Sequence, residues 1–562
     1  MASIVGKRQG GRTYYYLVES ARVGGKPRIV SQRYLGSAEE VAARLSQAGP
    51  GEPTRTRHLA FGDVAATWAL LGRLGLARVV DRVVGARRAD AAVSVGTYIA
   101  LAVCNRVVAP CSKLAFADWW ATTCLERRLG LPRSALDHRR WWDAMEAVST
   151  AQLAEVERAV VAAMVAEFGI DLGGLVLDMT NFATYIDSAN PAAPIAQRGH
   201  AKQKRTDLRL VGLGLVVATD GGVPICSHAY GGDRPDVTQF ADLVDALADR
   251  FRAVGGHDGD ITLVYDAGQD SAANQAHVQA SPFHFVGSLP PSDFPRLLGV
   301  PAAQYAPVDE AVWPGLTCYQ TRTVALGADR RVIVTHSPTL HAKQVRGFAQ
   351  TLAAVGRRLD ELAARLARGR TRRPRQTVEA EIARLLKPRW TARVIGWTLT
   401  GEQPSSLRLA WAIDQAARQA LEAEQFGKRI LFTDREDWPA AKVVAAYRSQ
   451  SEVEADFRQL KDPKVVSFPP MFHWTDHKIR VHVFCCVMAL TVARLLRREA
   501  ERAGLVMSVR ELLACLGGIQ ETVLLYQGAR GRPRARRMLT DIDPTQQRLF
   551  DLFGLAAYAP HR

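Results

Sequence analysis

The eight cysteines, at 104, 111, 124, 226, 318, 485, 486 and 515, include no C-x-x-C pair. That absence argues against a zinc knuckle or a disulfide framework, so they read as small core residues in a reducing compartment. Long apolar runs are missing too. The longest, such as Val483 to Ala493, fall well short of the ~18 residues needed to cross a bilayer. The opening MASIVGKRQGGR has no apolar signal region, and no internal repeat occurs. A cytoplasmic protein with no membrane contact is therefore expected. Acidic residues are in deficit: 56 Asp and Glu against 73 Lys and Arg leave a net charge of +17. Such an excess suits a polyanionic partner, because each phosphate neutralised by a cation releases a counterion. The 562 residues are otherwise ordinary globular material, enough for several domains.

Residues 1–56 read as a small β-hairpin module: YYYLVES and ARVGGKPRIVSQRYLG flank a Gly-Gly turn, and a helical pattern follows at Ala38 to Ala48. From 57 to 170 the pattern is helical, with Arg139 and Arg140 beside Trp141 and Trp142, as in a DNA-binding helical domain. Core packing of either Trp fits the same pattern. At Leu172 strands begin. GGLVLDMTNFATY, DLRLVGLGLVVAT and VPICSHAYGG are followed by a helix (Val237 to Arg252), the strand ITLVYD, a helix (Ser271 to Gln279) and the strand FHFVGSL. Three strands in a meander, with later strands added through helices, make a mixed α/β sheet over 171–299. Residues 300–428 break this pattern with a hairpin, TCYQTRTVALGADRRVIVTHS, and a long charged helix, and read as an insertion domain. GKRILFTD resumes the sheet in 429–510, and 511–562 form a helical, basic tail. The Arg-rich stretches 365–375 and 528–537 are solvated charge runs or DNA contacts.

AYRSQSEVEADFRQLKD, Ala446 to Asp462, reads as one helix without Gly or Pro. Tyr447, Glu454 and Lys461 lie seven residues apart and fall on one stripe, drifting about 20° per step. Gln450 and Arg458, four residues either side of Glu454, flank it. An ordinary amphipathic helix with a surface ion pair has the same pattern, so the acids upstream decide. Asp178 and Asp266 each end a predicted strand ahead of a polar loop, where ligands gather in open α/β sheets. Carboxylates brought together raise one another's pKa unless a hard cation joins them. Mg²⁺ suits such a site, and two ions can hold the attacking and leaving oxygens of a displacement at phosphorus. His200, His228, His473 and His482 show no zinc-ligand spacing, and Asp187, Asp207, Asp220, Asp233, Asp236 and Asp270 read as caps, turns or ion-pair partners.

These motifs, in this order, resemble the DDE transposases of bacterial insertion sequences, in the insertion-sequence-4-like group with its Y-x2-R-x3-E-x6-K signature. Tyr447, Glu454 and Lys461 match, and Gln450 stands where Arg is usual. GHAKQKRTDLRLVGLGLVVATDGGVPICSHAYGGDRPD, VYDAGQDSAAN and FHWTDHKIRVHVFCCVMAL resemble the group's other segments, with Pro469-Pro470 in place of a more usual Arg-Pro. The resemblance implies a ribonuclease-H-like core with a large insertion. It implies that Asp178, Asp266 and Glu454 bind two Mg²⁺ ions, with Mn²⁺ able to substitute. Tyr447, Lys461, Gln450, Arg458, Lys204 and Arg205 are then DNA contacts. The activity implied is cleavage at terminal inverted repeats and transfer of the 3′-hydroxyl strands into target DNA by a homodimer. Two rivals share the pattern: a ribonuclease-H-like nuclease without strand transfer, and an inactive transposase-derived DNA-binding protein.

Overall fold

The computed structural model describes residues 2–47, 52–85, 93–187, 189–200, 202, 207–253, 260–469, 471–527 and 534–561. Two compact units form. The smaller comprises 1–69, 117–131 and 510–562, and the larger comprises 70–116 and 132–509.

In the smaller unit, Arg12–Val23 and Lys26–Ser37 pair through the Gly24-Gly25 turn. A third strand, Ala2–Gln9, pairs with the first through Gly10-Gly11. All four glycines have positive φ, as the tight two-residue hairpin turn requires. The third strand was not expected, because SIVGKRQ shows little alternation. The basic tail contributes Gln520–Tyr526, paired on either side with Arg55–Ala60 and Arg534–Leu539. Its inward Glu521 is fully buried and is held by Arg127 and Arg537 at 2.7 and 2.6 Å.

The larger unit is built on a mixed sheet, nine-stranded among the described residues. Its strands are β1 (Gly174–Ala183), β2 (Leu210–Ala218), β3 (Pro224–Gly231), β4 (Thr262–Val264), β5 (His284–Leu289), β6 (Ala306–Pro307), β7 (Thr317–Ala325), β8 (Ala328–His336) and β9 (Lys428–Thr433). The spatial order is β6-β7-β8-β9-β5-β4-β1-β2-β3. β1, β2 and β3 form the expected antiparallel meander, and β4 and β5 join parallel to β1 through helices α1 (Phe240–Ala253) and α2 (Ala272–Ala280). β2 is buried along its whole length, which is why LVGLGLVVA is an unbroken apolar run.

The hairpin β7–β8 continues this sheet by pairing β8 with β9. The chain then leaves through α3 (Pro338–Ala367), which packs Phe348, Leu352, Leu359 and Leu362 into a core of their own with Val378, Ile382, Leu421 and Phe426. Residues 70–116 and 132–170, expected as part of a separate helical domain, belong to the same compact unit as the sheet. The reason is α6 (Asp476–Arg502), onto which Val95–Val108, His138–Glu146 and Thr150–Phe168 pack together with β3. By length and composition α6 could cross a membrane, but 94% of its most apolar window is buried inside the fold. Trp141 belongs to the core and Trp142 is exposed.

Candidate active site

Asp178 does not end its strand. β1 runs on to Ala183, and Asp178 still pairs with Leu215 of β2. The crevice arises on the other side, because β4 is only three residues long and its pairing with β1 stops at Val176 and Val264. Two residues beyond that rung on each parallel strand stand Asp178 and Asp266. The two carboxylates face each other electrostatically: burial first, and Asp266 in addition, push the Asp178 carboxyl up to about 6. The Met179 amide, donating at 2.7 Å, and Lys202 oppose that rise. Lys202 also donates to the Met179 carbonyl and pairs with Asp236 at 3.0 Å. Asp236 in turn accepts from Tyr230 at 2.6 Å.

Asp266 accepts from two hydroxyls on one oxygen, Ser288 of β5 at 2.9 Å and Tyr447 at 3.0 Å. Asp270 was expected to be a cap, a turn residue or an ion-pair partner. Instead both its oxygens are buried without a hydrogen-bond donor, and burial, then Asp266, push its carboxyl up to about 8. Asp187 and Asp220 do serve as expected, one in a turn with Ala189 and the other against Arg498.

The single helix expected over 446–462 is two: α4 (Ala440–Arg448) and α5 (Gln450–Leu460), with Ser449 between them. Ser449 donates its hydroxyl to the Ala446 carbonyl at 2.5 Å, the local competition that makes serine a poor helix-interior residue. The stripe survives the break. Tyr447 is buried and reaches Asp266, while Lys461, just past α5, donates to Thr180 of β1 at 3.0 Å and sits over the Phe182 ring. Burial and Lys202 lower the Lys461 pKa, and Asp178 pulls it back. Burial and Asp266 push the Tyr447 phenol up to about 12. Glu454, midway between these anchors, is exposed.

α5 carries three acids, and periodicity sorts them. Glu452 and Asp456 share the face that meets α6, where Arg494 bonds Asp456 and lies 3.7 Å from Glu452. Glu454 lies on the other side, unpaired among the described residues. Arg458 is exposed and makes no ion pair there either. Gln450 is half-buried, with its amide nitrogen lacking an acceptor. Lys204 and Arg205 lie outside the described residues. Lys202, Ser288 and Asp270 were not singled out as site residues from the sequence. The basic run GHAKQKR marks the neighbourhood of Lys202, and nothing local marks the other two.

The donor set of Asp178 and Asp266 fits a hard divalent cation, which takes one or two carboxylates and completes its shell with water and phosphate oxygens. The proximity of the acids, with Asp178 raised partly by Asp266, is the observation behind that fit. Among the described residues no three His, Cys, Asp or Glu side chains converge to ligand range, so Glu454 does not close a triad with the two aspartates.

The larger unit thus sets two aspartates just past the last shared rung of a parallel strand pair in a mixed sheet, with the helix that carries Glu454 packed on that sheet. The family model described as the transposase DDE domain matches residues 171–464, and the chain belongs to that family. It is a DDE-type transposase by descent. Among solved structures it is similar to a piggyBac transposase synaptic complex with hairpin DNA, with 8% identity, a TM-score of 0.38, and coverage of 83% of this chain and 82% of that one. No curated protein matches it.

Proposed function

We propose that this transposase has a ribonuclease-H-like core of the insertion-sequence-4-like group. It binds terminal inverted repeats, cuts at the element's ends and joins the freed 3′-hydroxyls to target DNA, as a homodimer on DNA in the bacterial cytoplasm. The observation that carries the reading is Asp178 and Asp266, each two residues past the last shared rung of neighbouring parallel strands, beneath the α4–α5 pair, which Tyr447 ties to Asp266 and Lys461 ties to Thr180 of β1.

Asp178 and Asp266 hold Mg²⁺ or Mn²⁺, with Glu454 as the third acid, assigned from its place between those anchors. A bound pair of such ions supplies charge neutralisation and activation of the attacking oxygen. The protein's own groups set the stage. Tyr447 and Ser288 fix the carboxylate of Asp266, Lys202 balances Asp178, and Lys461 offers its remaining protons to a phosphate oxygen. In each displacement an oxygen nucleophile, water or the 3′-hydroxyl, gives up its proton to solvent and bonds to phosphorus as the opposite P–O bond breaks, and the departing oxygen takes up a proton from solvent.

Cleavage of linear DNA carrying the element's own ends, with and without Mg²⁺, tests this. Wild type cuts at the ends only with metal, whereas Glu454→Gln binds the same DNA and leaves it intact. Joining to added target DNA separates a transposase from a nuclease. A Glu454→Gln protein that cuts as well as wild type refutes the role given to Glu454.

A further inference from the structure

Beside Glu454, on the side away from Lys461, lies a cavity of about 270 Å³. Its polar wall includes Thr335 from β8, Ser337, Arg429 from β9, Arg448 from α4, and Gln450 and Ser451 from the first turn of α5. The two guanidinium groups line the same cavity, both on exposed residues. Burial, then Arg429, lowers the pKa of Arg448. Among the described residues neither group makes an ion pair or donates a hydrogen bond. Each instead lies over an aromatic ring, Arg429 at 5.5 Å from the Tyr447 centroid and Arg448 at 5.0 Å from that of Trp313. A guanidinium over a ring gives up none of its N–H donors to that contact and keeps them for an acceptor. The buried amide nitrogen of Gln450 is a third donor without a partner. The one carboxylate in the wall, Glu454, pairs with neither arginine.

Two like charges and an idle buried donor around one cavity make sense once an anion fills it. We propose that Arg429, Arg448 and Gln450 form a phosphate-binding cavity that seats a backbone phosphate of the DNA strand lying along Glu454. The assignment to DNA rests on the function proposed above. The two unpaired guanidinium groups in the cavity wall do not. A planar guanidinium pairs with phosphate oxygens through two parallel N–H bonds, so two of them from different elements fix the strand's position as well as its charge. The volume is that of a small ligand site and admits a phosphate with its adjoining sugar.

The deciding variant is Gln450→Glu, which keeps the side chain's shape and puts a carboxylate between the arginines. Full-length wild type, Gln450→Glu and the pair Arg429→Ala/Arg448→Ala are compared on a labelled duplex carrying the element's end. Affinity is read by fluorescence anisotropy over a range of NaCl, and thermal melting is followed with and without inorganic phosphate. Gln450→Glu is expected to melt higher than wild type without ligand, yet to bind the duplex roughly tenfold or more weakly. Its plot of log affinity against log salt should be shallower by about one to two, at ~0.9 for each phosphate that the protein no longer neutralises. The alanine pair should show the same shallower slope, which a merely damaged fold would not reproduce alongside the higher melting of Gln450→Glu. Unchanged affinity and slope in both proteins overturn the proposal. If inorganic phosphate raises wild-type melting but not that of the variants while the slope stays the same, the cavity belongs to free phosphate, and its DNA role is overturned. A wild type that binds no duplex defeats the transposase reading instead, and the phosphate melts then decide the cavity alone.

Discussion

Asp456 and Arg494 hold the helix that carries Glu454 against the core, and their removal separates anchoring from chemistry. Asp456 is fully buried, Arg494 is 4% exposed, and one bonds the other across α5 and α6. Burial pushes the Asp456 carboxyl up and Arg494 pulls it back, so the carboxylate depends on Arg494 for its charged state. Breaking a buried pair from one side leaves an uncompensated charge and costs about 3–5 kcal/mol, whereas replacing both partners with apolar groups is often neutral or stabilising. Asp456→Leu and Arg494→Met are each expected to lose that amount in urea unfolding at pH 7.5. The double variant should return to within about 1 kcal/mol of wild type, far from the roughly 6–10 kcal/mol that additivity requires. DNA cleavage should follow the same order, falling in each single variant and recovering in the double, because Glu454 sits on the opposite face of the same helix. A double variant that costs the sum of the singles would show that packing rather than charge pairing fixes α5, and the anchoring argument would fail.

Tyr447→Phe removes one of two hydroxyls on Asp266, a bond to a charged acceptor worth about 1.5–3 kcal/mol. Cleavage should slow roughly tenfold or more while DNA affinity holds, and an unchanged rate would remove Tyr447 from the positioning of Asp266. Asp178 supplies a pH dependence. Its folded pKa of about 6 lies above the unfolded value of 3.8, so its contribution is fully present below pH ~4 and is lost as pH rises through 6. The loss comes to about 3 kcal/mol, at 1.36 kcal/mol per unit. In metal-free melts from pH 4 to 8, the stability of Asp178→Asn relative to wild type should therefore climb by that amount, and a pH-independent difference would contradict the assigned environment.

Much of the sheet was legible because its strands are short apolar runs punctuated by turns. GGLVLDMTNFATY and ITLVYD could be little else, and each carries its aspartate, but that the two strands adjoin is seen only in the sheet. What the sequence could not carry was pairing at a distance. The position of Asp178 beside the crevice depends on β4 ending at Val264, which is a matter of register rather than of local composition. The hairpin Thr317–His336 looks self-contained in sequence, and only the pairing of Arg331 with Thr433, and of each rung after it, makes it sheet. The break at Ser449 was hidden because a serine is only mildly unfavourable inside a helix, so a single one does not mark an end. Glu454 was distinguished from its neighbours only by its position on the stripe. That Glu452 and Asp456 are spoken for by Arg494 becomes visible once α6 is in place.

β8 ends at His336 opposite Lys428, where β9 begins, and the Ser337 amide adds one further bond to the Gly427 carbonyl at 2.9 Å. Everything from 338 to 426, with its own hydrophobic core, thus departs and returns across a single rung. To the sheet, the whole insertion is nothing more than the turn of a hairpin. Such a turn can be lengthened, exchanged or cut back without moving a strand, so variation in this segment across relatives would change the surface it presents while leaving the paired aspartates where they are.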